Sequence, residues 1–150
     1  DLPPGTGDVA ISVGQLLPHA GVLVVTTPQV AAAEVAERAG AMAHEVGQKV
    51  LGVVENMSFM RMPDGSVSHI FGSGGGQLVA EHLSEQVGYP VAVRAQIPLE
   101  ERLRIGSDEG VPVVLNPEAS EAADALRALA QELASAPRGL AGRSLGVTPR

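Results

Sequence analysis

Two short runs of mostly β-branched residues, Gly21-Val22-Leu23-Val24-Val25-Thr26-Thr27 and Val50-Leu51-Gly52-Val53-Val54, show no alternation of apolar with polar side chains. A strand with one wet face alternates, whereas a run that is apolar on both faces belongs in a sheet covered on both sides, as parallel sheets are. Between the runs, Val35, Ala39, Met42 and Val46 recur at spacings of four, three and four, the period of an amphipathic helix. Strand, helix and strand in this order predict an α/β fold, a Rossmann-like parallel sheet with flanking helices. In such folds ligands bind at the carboxyl edge of the strands.

The rest of the chain continues the pattern. Asp8 is read as a helix N-cap, with Val9, Val13 and Leu16 or Leu17 at helical spacing and Pro18 ending the helix. A second strand runs from Lys49 to Glu55. Val79, Leu83 and Val87 mark a helix after the glycines at 72 and 74–76. Pro90 introduces a third strand, Val91 to Ile97, and Glu101 to Ile105 starts a short helix. Asn116 and Pro117 are read as cap and first turn of a closing helix carrying Leu126, Leu129 and Leu133. His44 and His82 fall off the apolar stripes and are read as solvated. Residues 1–136 are read as one domain, and residues 137–150, without periodicity, as a disordered tail.

Composition bounds the function. A chain of 150 residues with 45% hydrophobic content can build one modest core. A formal net charge of −7 argues against a nucleic-acid footprint and against an anionic membrane surface, and 2% aromatic residues offer no base-stacking platform. The chain has no cysteine, so disulfides, thiolate ligation of a metal and cysteine nucleophiles are excluded within it, and a cytoplasmic setting fits.

Several stretches offer chemistry. In Asp1-Leu2-Pro3-Pro4-Gly5-Thr6-Gly7-Asp8, two acids bracket glycines, so that Asp1 could hold Mg²⁺ through water while a glycine N–H approaches a phosphate; a tight turn fits the same residues. Asn56 follows the second strand at the expected ligand edge, where a side-chain amide can read adenine; a turn asparagine fits equally. Phe71-Gly72-Ser73-Gly74-Gly75-Gly76 precedes a helix but lacks the Lys-Ser or Lys-Thr of a phosphate loop, so a flexible helix entry is the favoured reading. Between Phe59 and Phe71, Asp64-Gly65 is read as a hairpin turn with Val67, His69 and Phe71 alternating after it. Pro98 fixes the backbone that presents Leu99 and Glu100 at the sheet edge.

These segments, in this order, resemble the Mrp/ApbC family of P-loop ATPases, relatives of MinD and of nitrogenase iron protein. Asp1 to Asp8 resembles its Walker B and switch II segment. Val53 to Ser58 resembles "V-x-N-M-S", Phe71 to Gly76 "F-G-x-G-G-G", Ile97 to Glu100 "I-P-L-D", and Gly106 to Val113 "x-x-D-x-G-x-P-V". The resemblance implies the C-terminal part of a P-loop NTPase domain, with the strand before Asp1 and the Walker A loop upstream. It implies ATP and Mg²⁺ as cofactors, Asp1 as an indirect Mg²⁺ ligand, and Gly5, Thr6, Gly7 and Asp8 as the catalytic switch. Asn56, Pro98, Leu99 and Glu100 would surround the adenosine.

The implied function is ATP-driven assembly or delivery of Fe–S clusters to apoproteins by a homodimer, without nucleic acid or membrane, and with this stretch inactive by itself. The chain departs from the family in one respect that matters. Where most members carry Cys-x-x-Cys for a bridging cluster, it has Met60-Arg61-Met62-Pro63-Asp64, and thioethers do not replace thiolates around iron. A cluster on this chain is therefore doubtful, and Met57, Met60 and Met62 are expected in the core or at a subunit contact. A MinD-like or ParA-like positioning ATPase and a nonenzymatic partner-binding module are the alternatives.

Overall fold

The computed structural model describes residues 7–17, 19–116 and 118–135. Helix α1 (Asp8–Leu16) leads to β1 (Gly21–Thr26), α2 (Val30–Glu45) and β2 (Lys49–Asn56). A small hairpin, β3 (Met60–Arg61) and β4 (Val67–Ser68), precedes α3 (Gly75–Val87) and β5 (Val93–Ile97). Helix α4 (Glu101–Glu109), a 3₁₀ turn (Val113–Leu115) and α5 (Glu121–Ser135) complete the described chain. Strands β1, β2 and β5 form a parallel sheet in that order, the α/β architecture that the unalternated strands predict.

Adjacent residues of β2 face opposite layers. Val50 and Val53 point with Val24 into a core closed by Ala33 and Ala36 of α2 and Val79, Leu83 and Val87 of α3. Val54 points with Ile97 to the other side, where Ala122, Leu126 and Leu129 of α5 cover it. Leu51 is an extra residue in the β1–β2 ladder, since Val22 pairs with Val50 and Leu23 with Gly52. A Cβ on Gly52 would lie 2.4 Å from Arg94 Cγ and 2.9 Å from Ala92 O, so glycine is required by the close approach.

Several local expectations are corrected. Asp8 is the first residue of α1; Gly7 is the N-cap, and no side chain caps that end. The predicted stripe of α2 is not its buried face: Ala33, Ala36, Gly40 and Ala43 are buried, with a Cβ on Gly40 meeting Leu83 at 2.8 Å and Val24 at 3.1 Å. The small residues let α2 lie close to α3 and β1, while Val35, Ala39, Met42 and Val46 line an open apolar cleft of about 810 Å³ beside β1 and Val13 of α1. Helix α1 behaves in the same way, burying Ala10 and Gly14 and exposing Val9, Leu16 and Leu17.

A further correction concerns α5. Asn116 ends the 3₁₀ turn, its Oδ1 accepting from Glu118 N at 2.9 Å; Pro117 lies outside the described residues. Ser120 caps the helix instead, Oγ accepting from Ala123 N at 3.0 Å. The Asp64-Gly65 turn is as expected, with Gly65 at φ +83° and Asp64 Oδ1 accepting from Ser66 N at 2.9 Å and Ser66 Oγ at 2.6 Å. Strand β4, however, stops at Ser68. His44 is exposed, edge-on to Tyr89, whereas His82 is only half-exposed and lies 2.8 Å from Glu37. Among the described residues, no helix is long and apolar enough to cross a membrane.

Candidate nucleotide edge and hairpin

The ladder places Asn56 opposite Ile97 at the carboxyl end of neighbouring parallel strands. The segments leaving these strands stay joined: Ser58 N donates to Ile97 O at 3.0 Å and Leu99 N to Phe59 O at 2.7 Å. Asn56 and the Pro98 to Glu100 loop, more than forty residues apart in the chain, thus form adjoining walls of one edge. Pro98 is buried there, with Leu99 and Glu100 half-buried.

Asn56 is itself half-exposed, and its Oδ1 accepts from Met57 N at 2.9 Å. Met57 has φ +56°, which no other non-glycine among the described residues matches in sign. Such backbone is tolerated where the surroundings hold it, and it concentrates at functional edges. Among the described residues Asn56 Nδ2 has no hydrogen-bond partner, and Asn56 also lines the cleft beside β1.

Two carboxylates at this edge are committed within the chain. Glu100 Oε2 accepts from Ala122 N at 2.9 Å and Ser120 Oγ at 3.1 Å, so its charge faces the amino end of α5. Glu55, which the sequence reading treated only as strand, is almost wholly buried. Its Oε2 accepts from Gly76 N at 2.6 Å and its Oε1 from Gln96 Nε2 at 3.0 Å. The signal was an acid closing an apolar, fully covered strand, since a buried carboxylate must be met by donors.

Glu55 also explains the glycine loop. Gly74 caps α3 in left-handed backbone at φ +85°. A Cβ on Gly75 would sit 2.5 Å from Pro28 O, and one on Gly76 would sit 2.8 Å from Glu55 Cβ. The free N–H groups of this helix end, where an anion is favoured, therefore meet a carboxylate of the chain itself.

The hairpin stands beside this edge. Arg61 donates to Glu121 through Nη2 at 2.8 Å and Nε at 3.3 Å, and to Gly65 O at 3.3 Å. Its guanidinium lies 5.6 Å from the Phe59 ring centroid. The hydrogen bond from Arg61, then its charge, holds the Glu121 carboxyl below the usual carboxylate range, and the same partner raises the already basic Arg61. The Ser66 hydroxyl, then its backbone N–H, lowers Asp64. Met57, Met60 and Met62 are each 37% exposed, so of the two places expected for them, a core or a subunit contact, the core is excluded. His69 Nδ1 lies 3.1 Å from Ser58 O.

Of the residues read as Walker B acid and switch, Asp1, Gly5 and Thr6 lie outside the described residues, while Gly7 is the N-cap of α1 and Asp8 its first residue. Among the described residues, no three His, Asp or Glu side chains converge as metal ligands.

Comparison with known proteins gives one answer. The family model described as ParA, NUBPL iron-transfer P-loop NTPase, matches residues 1–134. The chain is 56% identical over 149 residues to the iron-sulfur cluster carrier protein of Mycobacterium tuberculosis, covering 99% of this chain and 39% of that protein. It is 38% identical to the mouse iron-sulfur cluster transfer protein NUBPL over 89% of this chain and 40% of that one. The chain thus spans about two fifths of the length of the curated relatives it matches.

Among solved structures, an Archaeoglobus fulgidus nucleotide-binding protein in complex with ADP superposes with a TM-score of 0.56 at 35% identity, over 73% of this chain and 43% of that one. The Pyrococcus furiosus cell division ATPase MinD superposes with 0.62 at 26% identity, over 89% and 49%. A family model that matches nearly the whole chain, relatives that share its sequence and neighbours that share its sheet all agree: the chain belongs to the Mrp/NUBPL family of ParA-type iron-transfer P-loop NTPases.

Proposed function

We propose that this chain supplies the base-reading edge of an ATP-hydrolysing carrier that delivers Fe–S clusters to apoproteins. The observation that carries the reading is the joined β2–β5 edge, which sets the Asn56 amide beside the Pro98 to Glu100 loop. With Oδ1 held by Met57 N, Asn56 Nδ2 donates to a ring nitrogen of adenine, while a small rotation lets Oδ1 accept from the amino group. Pro98, Leu99 and Glu100 form the second wall. The ADP complex of the Archaeoglobus relative is consistent with nucleotide at this fold.

Asp1 would hold Mg²⁺ through water, and Gly5, Thr6, Gly7 and Asp8 would form the switch that responds to the terminal phosphate. When bound, Mg²⁺ supplies positive charge that stabilises the phosphates during transfer. The remaining catalytic charge, a phosphate-loop lysine, belongs to another part of the protein, so this chain by itself does not hydrolyse ATP. Residues 1–136 act as one part of that domain. The cluster is cargo, and its thiolates come from outside this chain, which has no cysteine. The protein works as a cytoplasmic homodimer, without nucleic acid or membrane.

Titration of the full-length protein with ATP and GTP, beside Asn56→Ala, tests the reading. Loss of the amide is expected to cost about 1–3 kcal/mol in ATP affinity and to erase the preference for ATP over GTP. An unchanged preference would overturn the assignment of Asn56. The likeness to MinD favours a second reading, a switch ATPase whose output is partner binding. ATP turnover that proceeds without any transfer of cluster to an apoprotein would favour it.

A further inference from the structure

The first turn of α5 is held from two directions. From the loop leaving β5, Glu100 Oε2 accepts from Ala122 N at 2.9 Å and Ser120 Oγ at 3.1 Å. From the hairpin, Arg61 grips both carboxylate oxygens of Glu121, at 2.8 Å and 3.3 Å. The two attachments fall on consecutive residues, 120 to 122, of one helical turn. The loop and the hairpin also touch directly, through Leu99 N and Phe59 O at 2.7 Å, and Phe59 lies against the Arg61 guanidinium.

These contacts close a ring: the loop at 98–100, the start of α5, Arg61, Phe59 and back to Leu99. Ser120 Oγ caps α5 by accepting from Ala123 N at 3.0 Å, and Glu100 completes that end at Ala122 N. What Glu100 adds is attachment of the loop to the helix, and what Arg61 adds is attachment of the hairpin to the same turn. A displacement of the loop is therefore opposed at the hairpin twice, through the backbone bond and through the helix.

We propose that Glu100 and Arg61 are positioning residues that couple the loop after β5 to the hairpin through the first turn of α5. If the nucleotide reading above holds, occupancy of the Asn56 edge is felt at the hairpin by this route; the coupling itself does not depend on that reading. Arg61 and Glu121 are both about half exposed, at 47% and 42%, so water and salt weaken the link and effects of about twofold to fivefold are expected.

Amide hydrogen exchange of the full-length protein tests this. In Glu100→Ala, exchange should quicken about twofold to fivefold at Met62 and Gly65, whose N–H groups close the hairpin on Ser66 O and Met62 O. In Arg61→Glu, exchange should quicken at Ala122 and Leu99, and the swap Arg61→Glu with Glu121→Arg should restore it, because the pair and not either side chain carries the effect. Hairpin amides that stay unchanged in Glu100→Ala, or a swap that fails to rescue, would overturn the coupling. ADP should protect Leu99 and the hairpin in the parent protein, but mainly Leu99 in Arg61→Glu. Equal hairpin protection by ADP with and without Arg61 would also overturn it. If ADP protects nothing while the variants still communicate, the coupling is supported and the nucleotide site is the idea that falls.

Discussion

Replacing Glu55 by alanine should be among the more damaging substitutions at the sheet edge, although among the described residues no charge partner faces that side chain. Its carboxylate is almost wholly buried and accepts from Gly76 N at 2.6 Å and Gln96 Nε2 at 3.0 Å. Truncation leaves the buried Gly76 N–H without a partner, a loss of about 1–3 kcal/mol. It also removes the anion from the amino end of α3, worth roughly 0.3–1 kcal/mol in ordinary settings. Gln96 is exposed and can turn its amide to water, so its share is small. The expected sum is about 1–4 kcal/mol.

Glu55→Gln keeps the shape. Its remaining oxygen can stay on Gly76 N, while its amino group faces a Gln96 that is free to flip and accept, so the cost should fall to about 1 kcal/mol. Denaturant unfolding of the full-length protein, read as the change in midpoint at constant slope, measures both. Alanine and glutamine variants of equal stability, or an alanine variant within about 0.5 kcal/mol of the parent, would refute the idea that this carboxylate holds the helix end.

Gly75→Ala should destabilise by about 1–3 kcal/mol, because the new Cβ would meet Pro28 O, C and Cα at 2.5, 2.7 and 2.8 Å and backbone cannot swing aside; thermal unfolding reads it. The Glu121 carboxyl is lowered from its usual 4.5 by Arg61, so the stability it contributes is present above that value and lost as pH falls through the lower folded-state value. Hairpin exchange, corrected for intrinsic rates, should therefore rise on acidification below about 4.5, and Glu121→Gln should blunt that rise. Asp1→Asn should lower ATP turnover of the full-length protein far more than ATP affinity, measured by steady-state kinetics beside equilibrium binding. Met60→Leu with Met62→Leu should leave the cluster content after anaerobic reconstitution unchanged, since thioethers are poor partners for iron in a cluster; iron and sulfide assays decide it.

The sheet was legible because buried parallel strands leave a strong mark. The run around Val53 is apolar on both faces because helices cover both, whereas β1 is covered on its Val24 face and leaves Val25 61% exposed. The helix faces were legible less often. A periodicity argument follows the largest apolar residues, and in α2 these are Val35, Met42 and Val46, which line the cleft. The packed face is Ala33, Ala36, Gly40 and Ala43, chosen for close approach rather than for hydrophobic area. Small residues carry little weight in a hydrophobic pattern, yet they decide where two helices can touch.

The edge residues show a further limit. Asn56 and the Pro98 to Glu100 loop could be placed at one edge from strand order alone, and the ladder brings them together. What sequence could not separate was a carboxylate waiting for a ligand from one already engaged. Glu100, read as a site residue, turns its charge to the start of α5, and Glu55, read as strand, turns its charge to the start of α3. Both sit just where a strand hands over to a helix-bearing connection, and there a helix end with free N–H groups offers a carboxylate the same welcome as it would a phosphate. An acid at the carboxyl edge of a parallel sheet is therefore evidence of a nearby helix end first, and of chemistry only when its oxygens remain free. Glu55 fails that test, since Oε2 is engaged by Gly76 N and Oε1 by Gln96 Nε2. Glu100 engages only Oε2, so among the described residues its Oε1 stays open at this edge beside the amide of Asn56.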